Sequence, residues 1–279
     1  MRKIIKPSVY IRQIVTDCIS NMSDLKLKTE IERAIHLIEV ANTEYDLKKA
    51  SNELHHLVRG QEINSIVTSK VLKDLYSKRF INKNNLARKH YDNLLFSAPN
   101  GRCPQCGIRI ATTLDHNLPK SKYALLSVSA FNLIPSCTDC NKGKHVSFPR
   151  SAEEESIHPY YDDIENIKWL HCKVINVKPL LIEYYVSTES MVPKLLNKRI
   201  KNHFDSFNLN DLYVTHGIEE FSNIQKQLIN LFNSGGSMLL LEHLKEGFDS
   251  RSEININSWQ TAFYEALLND KNFTNGLFI

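Results

Sequence analysis

The chain has 279 residues, of which 42% are hydrophobic and 24% are charged, and these values are ordinary for a soluble globular protein. No apolar stretch is long enough to span a bilayer, and the basic start at Met1, Arg2 and Lys3 is not followed by the apolar segment of a secretory signal. We therefore expect a cytoplasmic protein without a membrane partner, built as one large or two ordinary domains.

Charge is distributed unevenly along the chain. Residues 1–150 contain 24 Lys and Arg against 13 Asp and Glu, whereas residues 151–279 contain 11 against 18. The first part therefore carries +11 and the second −7, which together give the net charge of +4. A basic first half favours a polyanionic partner such as nucleic acid. Uneven but solvated surface charge is the alternative interpretation.

Apolar residues recur at three- and four-residue steps through most of residues 1–99, which predicts a helical N-terminal region. The runs that carry this pattern are residues 11–22, 31–41, 72–76 and 86–95. A turn cluster at residues 97–101 predicts that this region ends near residue 99.

Two C-x-x-C pairs follow, Cys103 with Cys106 and Cys137 with Cys140. The two-residue spacing lets both thiolates of a pair meet one tetrahedral ion, so the sequence predicts a structural Zn²⁺ site. Disulfide bonds are the weaker alternative, because no secretory signal precedes these cysteines.

Between the cysteine pairs, residues 109–114 have strand character and lead into Asp115 and His116. Residues 131–134 are predicted to be extended, and a helix is predicted to begin at Cys137 and carry Asn141. Adjacent residues of a strand point to opposite faces, so His116 and Asp115 can serve one site only if the strand twists or ends there. The proline at position 119 indicates that the strand ends close to His116.

These side chains suit hydrolysis of a phosphodiester bond. Asp115 and Asn141 offer hard oxygen ligands, which suit Mg²⁺ or Mn²⁺. A histidine has an unperturbed pKa of about 6.5 and is largely neutral at physiological pH, so His116 is the candidate general base.

The same stretch resembles the HNH (ββα-metal) endonuclease family, in the form with a four-cysteine zinc site. The matching motifs lie within residues 100–150, in the family's order: C-P-x-C, L-D-H-x-L-P-K-S, N-L-I-P and C-x-x-C-N-x-x-K. The resemblance implies an α+β fold, namely a mostly helical chain with a central zinc-stabilised ββα-metal (treble-clef-like) unit over residues 100–165. It also implies that Asn132 holds the loop that presents His116.

Four further residues are weaker candidates. His145 lies four residues after Asn141, on the same helix face, so it is either a third ligand of the catalytic ion, a phosphate contact or a free surface histidine. If it is a ligand, Ni²⁺ and other softer divalent ions become more competitive. Lys144, Lys120 and Lys122 are candidate nucleic-acid contacts, and ordinary solvated lysines are the alternative.

Residues 166–279 show no catalytic pattern. They predict a hairpin and then helices near residues 192–207, 219–232, 238–245 and 258–268, with Gly235-Gly236 separating the middle two. A structural or partner-docking role is the default.

The expected function is therefore metal-dependent endonucleolytic cleavage of DNA. Two alternatives remain open: a catalytically inactive, zinc-stabilised nucleic-acid-binding module, and an HNH nuclease that acts on RNA. A further hypothesis makes the chain the nuclease effector of a bacterial antiviral defence or mobile-element system, working with a partner ATPase. The sequence does not indicate the cleavage specificity or the oligomeric state.

Overall fold

Residues 1–143 and 148–279 are described by a computed structural model of the chain. Residues 2–162 form one compact unit, here the front unit, and residues 163–279 with Met1 form a second, the rear unit. The described chain is α+β and mostly helical, with two small antiparallel sheets. Within the described ranges, no helix combines the length and the apolar character needed to cross a membrane.

Four helices open the front unit, as the periodicity predicted: α1 (Ile11–Ile19), α2 (Leu25–Ala50), α3 (Ser69–Asp74) and α4 (Arg88–Phe96). The side chains of Asp24 and Thr68 accept hydrogen bonds from the first turns of α2 and α3, which satisfies backbone donors that a helix start leaves unpaired. The apolar stripes of these helices meet in one core, in which Ile14, Ile31 and Phe80 are fully buried.

Helix α3 continues into a single π-helical turn, Leu75–Phe80. In this turn the amide of Ile81 donates to the carbonyl oxygen of Tyr76, five residues earlier. The widened turn keeps both Tyr76 and Phe80 buried in the core. π-turns are rare and frequently occur at functional sites.

The central part of the front unit is a two-stranded sheet followed by a short helix. Strand β1 (Thr113–His116) pairs antiparallel with β2 (Leu133–Ser136), so that Asp115 lies opposite Ile134 and His116 opposite Leu133. Helix α5 (Thr138–Gly143) follows β2 and packs against β1.

Strand β1 begins later than predicted and ends where the proline indicated. Residues 109–111 do not continue the strand, because Cys103 N–H donates to the carbonyl oxygen of Arg109 at 2.7 Å and Arg102 bridges to Ile110. These contacts fold residues 102–110 into the turn that carries the first cysteine pair.

The rear unit contains the predicted hairpin, β3 (Leu170–Val177) with β4 (Leu180–Val186). It also contains α6 (Lys194–Ser206), α7 (Leu209–Ile254), α8 (Trp259–Asn269) and α9 (Lys271–Thr274). Helix α7 begins earlier and ends later than predicted. Its backbone is broken at Gly236 (φ 61°, ψ −153°), so the predicted separation at the glycine pair is confirmed.

Candidate active site

The four cysteines of the two C-x-x-C pairs come together in one buried cluster. The Sγ atoms of Cys103, Cys106, Cys137 and Cys140 all lie within 4.8 Å of one another. A tetrahedral zinc ion with Zn–S bonds of about 2.3 Å spaces its sulfurs about 3.8 Å apart, so the cluster has the size that zinc requires. The structure describes all six cysteines of the chain, and none of them forms a disulfide bond.

The local backbone explains why the first pair can converge. Gly107 donates its N–H to the carbonyl oxygen of Cys103 at 2.7 Å and has φ of 72°, a left-handed conformation that favours glycine. In the second pair, Cys140 N–H donates to the Sγ of Cys137 at 3.3 Å. Each pair therefore closes a tight turn around its own sulfurs.

Hydrogen bonding within the cluster lowers the pKa of two thiols, Cys106 and Cys137, and raises the pKa of the other two, Cys103 and Cys140. Hydrogen bonds to the sulfur of Cys106 from the other three cysteines, Cys103 foremost, hold the pKa of Cys106 well below the ordinary thiol value. Hydrogen bonding, foremost with Cys103, lowers the pKa of Cys137 to about 6. Metal ligation needs deprotonated cysteines, so binding to this cluster would release few protons from these two.

Asp115 is buried and is connected to the first cysteine pair through Gln105. The Ser136 hydroxyl donates to Oε1 of Gln105 at 2.8 Å, which turns Nε2 of the same amide toward Asp115. Nε2 then donates to Oδ2 of Asp115 at 3.3 Å. Because Gln105 lies between Cys103 and Cys106, the turn that gathers the thiols also orients the carboxylate.

His116 is the last residue of β1 and is half-buried. Its Nε2 lies 2.8 Å from the carbonyl oxygen of Ser127. A carbonyl oxygen only accepts, so Nε2 carries the hydrogen, and in the neutral ring the lone pair is on Nδ1. The ring of Tyr76 packs edge-on against the imidazole, with centroids 4.5 Å apart and planes at 66°. The imidazole is thus fixed in tautomer and in orientation.

Asn132 is fully buried and holds the loop that follows His116. Its Oδ1 accepts from the amide of Leu118 at 2.7 Å, and its Nδ2 donates to the carbonyl oxygens of Leu118 at 3.0 Å and Leu126 at 3.3 Å. One side chain at the end of the connection between β1 and β2 therefore holds both its start, at Leu118, and its middle, at Leu126.

Asn141 is half-buried on α5, and its backbone N–H donates to the carbonyl oxygen of Cys137 at 3.0 Å. Since α5 packs against β1, the helix that carries Asn141 and the strand that carries Asp115 are in contact. Lys144 and His145 lie outside the described residues. Among those that are described, the four cysteines are the only group of three or more His, Cys, Asp or Glu side chains close enough to hold an ion.

Of the two remaining lysines, Lys122 is exposed and Lys120 is half-buried. The Lys120 ammonium lies 4.3 Å from the ring centroid of Tyr76 and donates to the hydroxyl of Ser77 at 3.2 Å. Burial lowers the pKa of Lys120, and the positive charge of Lys73 lowers it further. The negative charge of Asp74 opposes part of this shift, so burial, and not an excess of positive charge, is its main cause.

Sequence reasoning missed Tyr76, Gln105 and Ser127 as parts of the site. Gln105 had a signal, because it stands inside the first C-x-x-C pair. Tyr76 had none, because it is 40 positions from His116 and fits an ordinary apolar helix pattern.

The chain is 25% identical to "Protein ea31" of Escherichia phage lambda over 297 aligned positions, which cover 99% of this chain and 100% of that protein. The similarity therefore includes both units. No protein-family model matches the chain. No solved structure matches it.

Proposed function

We propose that the chain is a metal-dependent endonuclease of the HNH type that hydrolyses phosphodiester bonds in DNA. The observation that carries the proposal is the setting of His116. It ends the first strand of a strand–strand–helix unit whose helix carries Cys140 of the four-thiol cluster, and its Nε2 donates to a backbone carbonyl.

That setting suits a general base. With Nε2 committed to the carbonyl oxygen of Ser127, Nδ1 is the atom that takes a proton from the attacking water. The Tyr76 ring and the loop held by Asn132 keep the imidazole in one place, and accurate placement is a large part of what a base contributes to rate.

Asp115 and Asn141 are the candidate ligands of the catalytic ion. A carboxylate and an amide oxygen form a donor set that fits a hard divalent cation. When bound, Mg²⁺ or Mn²⁺ would stabilise the charge that develops on the phosphate and on the leaving oxygen. Asp115 is already oriented by Gln105, so its carboxylate need not reorganise to serve as a ligand.

Lys120 and Lys122 are the candidate phosphate contacts among the described residues. Lys120 and His116 both contact the ring of Tyr76. The basic composition of residues 1–150 supports the same polyanionic substrate class.

A role as the effector of a mobile-element or antiviral system, working with a partner ATPase, stays a proposal. The full-length similarity to a phage protein supports the mobile-element context and assigns no activity. Co-purification of the tagged chain with the products of neighbouring genes is the direct test.

The function is tested with His116→Ala on supercoiled plasmid in Mg²⁺ or Mn²⁺. Loss of the base should lower the cleavage rate by about 10²- to 10⁴-fold. Zinc content, thermal stability and DNA affinity should stay close to wild type. His36→Ala is the matched control, because His36 is an exposed histidine on α2 of the same unit.

The metal dependence separates the roles further. Asp115→Ala and Asn141→Ala should lose activity through weaker ion binding, so high Mn²⁺ should restore part of it. No metal concentration should restore His116→Ala, because a proton acceptor is missing. Wild-type cleavage by His116→Ala on both DNA and RNA would show the mechanism to be wrong, and the zinc-stabilised binding module would replace it.

A further inference from the structure

One aromatic side chain from the helical N-terminal region contacts two candidate residues of the central unit. The ring of Tyr76 packs against the His116 imidazole at 4.5 Å and lies 4.3 Å from the Lys120 ammonium. Its hydroxyl donates to the carbonyl oxygen of Leu114 at 3.3 Å, two residues before His116 on β1. Tyr76 therefore contacts the strand, the base and the cation.

The backbone around Tyr76 is unusual in the same place. Tyr76 lies in the π-helical turn Leu75–Phe80, and the adjacent Ser77 accepts a hydrogen bond from Lys120 at 3.2 Å. The extra residue of a π-turn changes which side chains face a neighbouring element. Here it presents the Tyr76 ring and the Ser77 hydroxyl together to the central unit.

We propose that Tyr76 is a positioning residue of the candidate active site, whose ring fixes the positions of both the His116 imidazole and the Lys120 ammonium. The proposal rests on the proposed function. The Tyr76 ring packs against the His116 imidazole and restricts rotation of the imidazole about its Cβ–Cγ bond. The hydrogen bond from Nε2 to the carbonyl oxygen of Ser127 restricts its tilt. The cation over the ring is attracted by the negative face of the aromatic system, so Lys120 is held near the base instead of extending into solvent.

The chain offers a closely matched control in Tyr91. Tyr76 and Tyr91 are each 8% exposed, lie in the same core and pack against Phe80, with centroid distances of 5.8 Å and 5.9 Å. Tyr91 also has a cation over its ring, since the Arg88 guanidinium lies 4.4 Å from the centroid. The difference that matters is that the ring of Tyr76 contacts His116.

The experiment compares Tyr76→Leu, Tyr76→Phe and Tyr91→Leu in the full-length, zinc-loaded chain. Misplacing a reacting group by about 1 Å costs on the order of 10²-fold in rate, so Tyr76→Leu should lower kcat by roughly 10- to 100-fold. Tyr76→Phe keeps the ring and should stay within about threefold of wild type, because the ring does the positioning. Tyr91→Leu should lose comparable thermal stability and keep kcat.

A second measurement separates the effect of Tyr76 on His116 from its effect on Lys120. Lys120→Met should raise KM for DNA and change kcat little, whereas Tyr76→Leu should change both. The histidine ring signals in the NMR spectrum report the contact without activity: the signal that disappears in His116→Ala should shift in Tyr76→Leu and not in Tyr91→Leu. If Tyr76→Leu does not fold, Tyr76→Met takes its place, because a long flexible side chain refills the core.

Three outcomes would overturn the inference: equal kcat for Tyr76→Leu and Tyr91→Leu, an unmoved His116 signal, or a loss in Tyr76→Phe as large as in Tyr76→Leu. Each is distinct from failure of the proposed function, which appears as wild-type cleavage by His116→Ala.

Discussion

Asn132 is the polar side chain whose hydrogen bonds most constrain the loop after His116. It is fully buried, and its amide oxygen and nitrogen satisfy one donor and two acceptors of the backbone. An amide is the only common side chain of this size that offers an acceptor and two donors together.

Substitution of Asn132 by Asp should therefore be more damaging than its small change in shape implies. Aspartate keeps an acceptor for the Leu118 amide but turns an oxygen toward the carbonyl oxygens of Leu118 and Leu126. A buried group left unsatisfied costs about 1–3 kcal/mol, and more if charged, so we expect a loss of about 2–4 kcal/mol in the free energy of unfolding.

Urea unfolding of Asn132→Asp, Asn132→Ala and Asn223→Asp measures this loss. Asn223 is exposed on α7, so its substitution should leave the midpoint unchanged. A midpoint for Asn132→Asp equal to that of wild type would mean that the loop does not depend on this amide.

The candidate site residues that the sequence indicated lie close together in the chain, whereas the contacts that it did not indicate join distant positions. Asp115, His116, Asn132 and Asn141 stand within 27 positions and form a recognisable motif. The contact of Tyr76 with His116 joins segments 40 positions apart, and the spacing of apolar residues along a helix reports which face is buried but not what it touches.

At the scale of elements, the cysteine cluster links the turn at residues 103–106 to the start of α5. Two elements as small as these bury little apolar surface, so their relative position depends on what holds the four sulfurs. Structural zinc sites contribute on the order of 10 kcal/mol to folding in small domains.

We expect wild-type protein to contain about one tightly bound zinc per chain, as four thiolates require. Cys103→Ser should lose this zinc and several kcal/mol of stability, a fraction of the roughly 10 kcal/mol that such sites contribute. Cys172→Ser, on β3 of the rear unit, is the matched control and should retain both. Metal analysis and thermal unfolding provide the measurements, and folded wild-type protein with intact thiols and no zinc would contradict the expectation.

The elements themselves were largely predictable from the sequence, and their ends were less so. Periodicity located α1 and α2 because each buries a stripe of apolar side chains, and two apolar runs separated by a turn located the β3–β4 hairpin. It misplaced the start of β1, because hydrogen bonding within residues 102–110 overrides the strand preference of Arg109 to Thr112. It also missed the first turns of α7, which begins directly after the left-handed Asn208.

For the whole molecule, the proposed function and the asymmetry of charge together predict that nucleic acid would bind the front unit, because the net charge of +11 lies in residues 1–150. Lys122 of the front unit and Lys226 of the rear unit are both exposed lysines, and replacing either by Glu changes the net charge by the same amount. Lys122→Glu should weaken DNA binding and reduce the slope of log affinity against log salt by about 1, since a phosphate contact is lost. Lys226→Glu should do neither.

Binding isotherms for both variants at several salt concentrations measure these effects. Equal weakening by both substitutions would mean that net charge alone, and not a localised basic surface, attracts the DNA. The composition of the chain indicated the asymmetry of charge.

The boundary between the two units, at residues 162 and 163, was harder to predict from the sequence. Residues 2–99 and 100–162 belong to one unit because of contacts between residues remote in sequence, such as Asn117 with Tyr45 and Lys49 with Glu155.

The hydrogen bonds from Ser136 through Gln105 to Asp115 connect the first cysteine pair to the candidate ligand of the catalytic ion. Gln105 lies between Cys103 and Cys106, so under the proposed function gathering of these thiols would place Gln105 against Asp115, and the structural ion would be acquired before the catalytic one. A newly synthesised chain that acts as proposed would then have no nuclease activity until zinc was bound. Zinc restriction would then hold a stock of complete but silent enzyme, which renewed supply would activate within the time of metal uptake, without new protein synthesis.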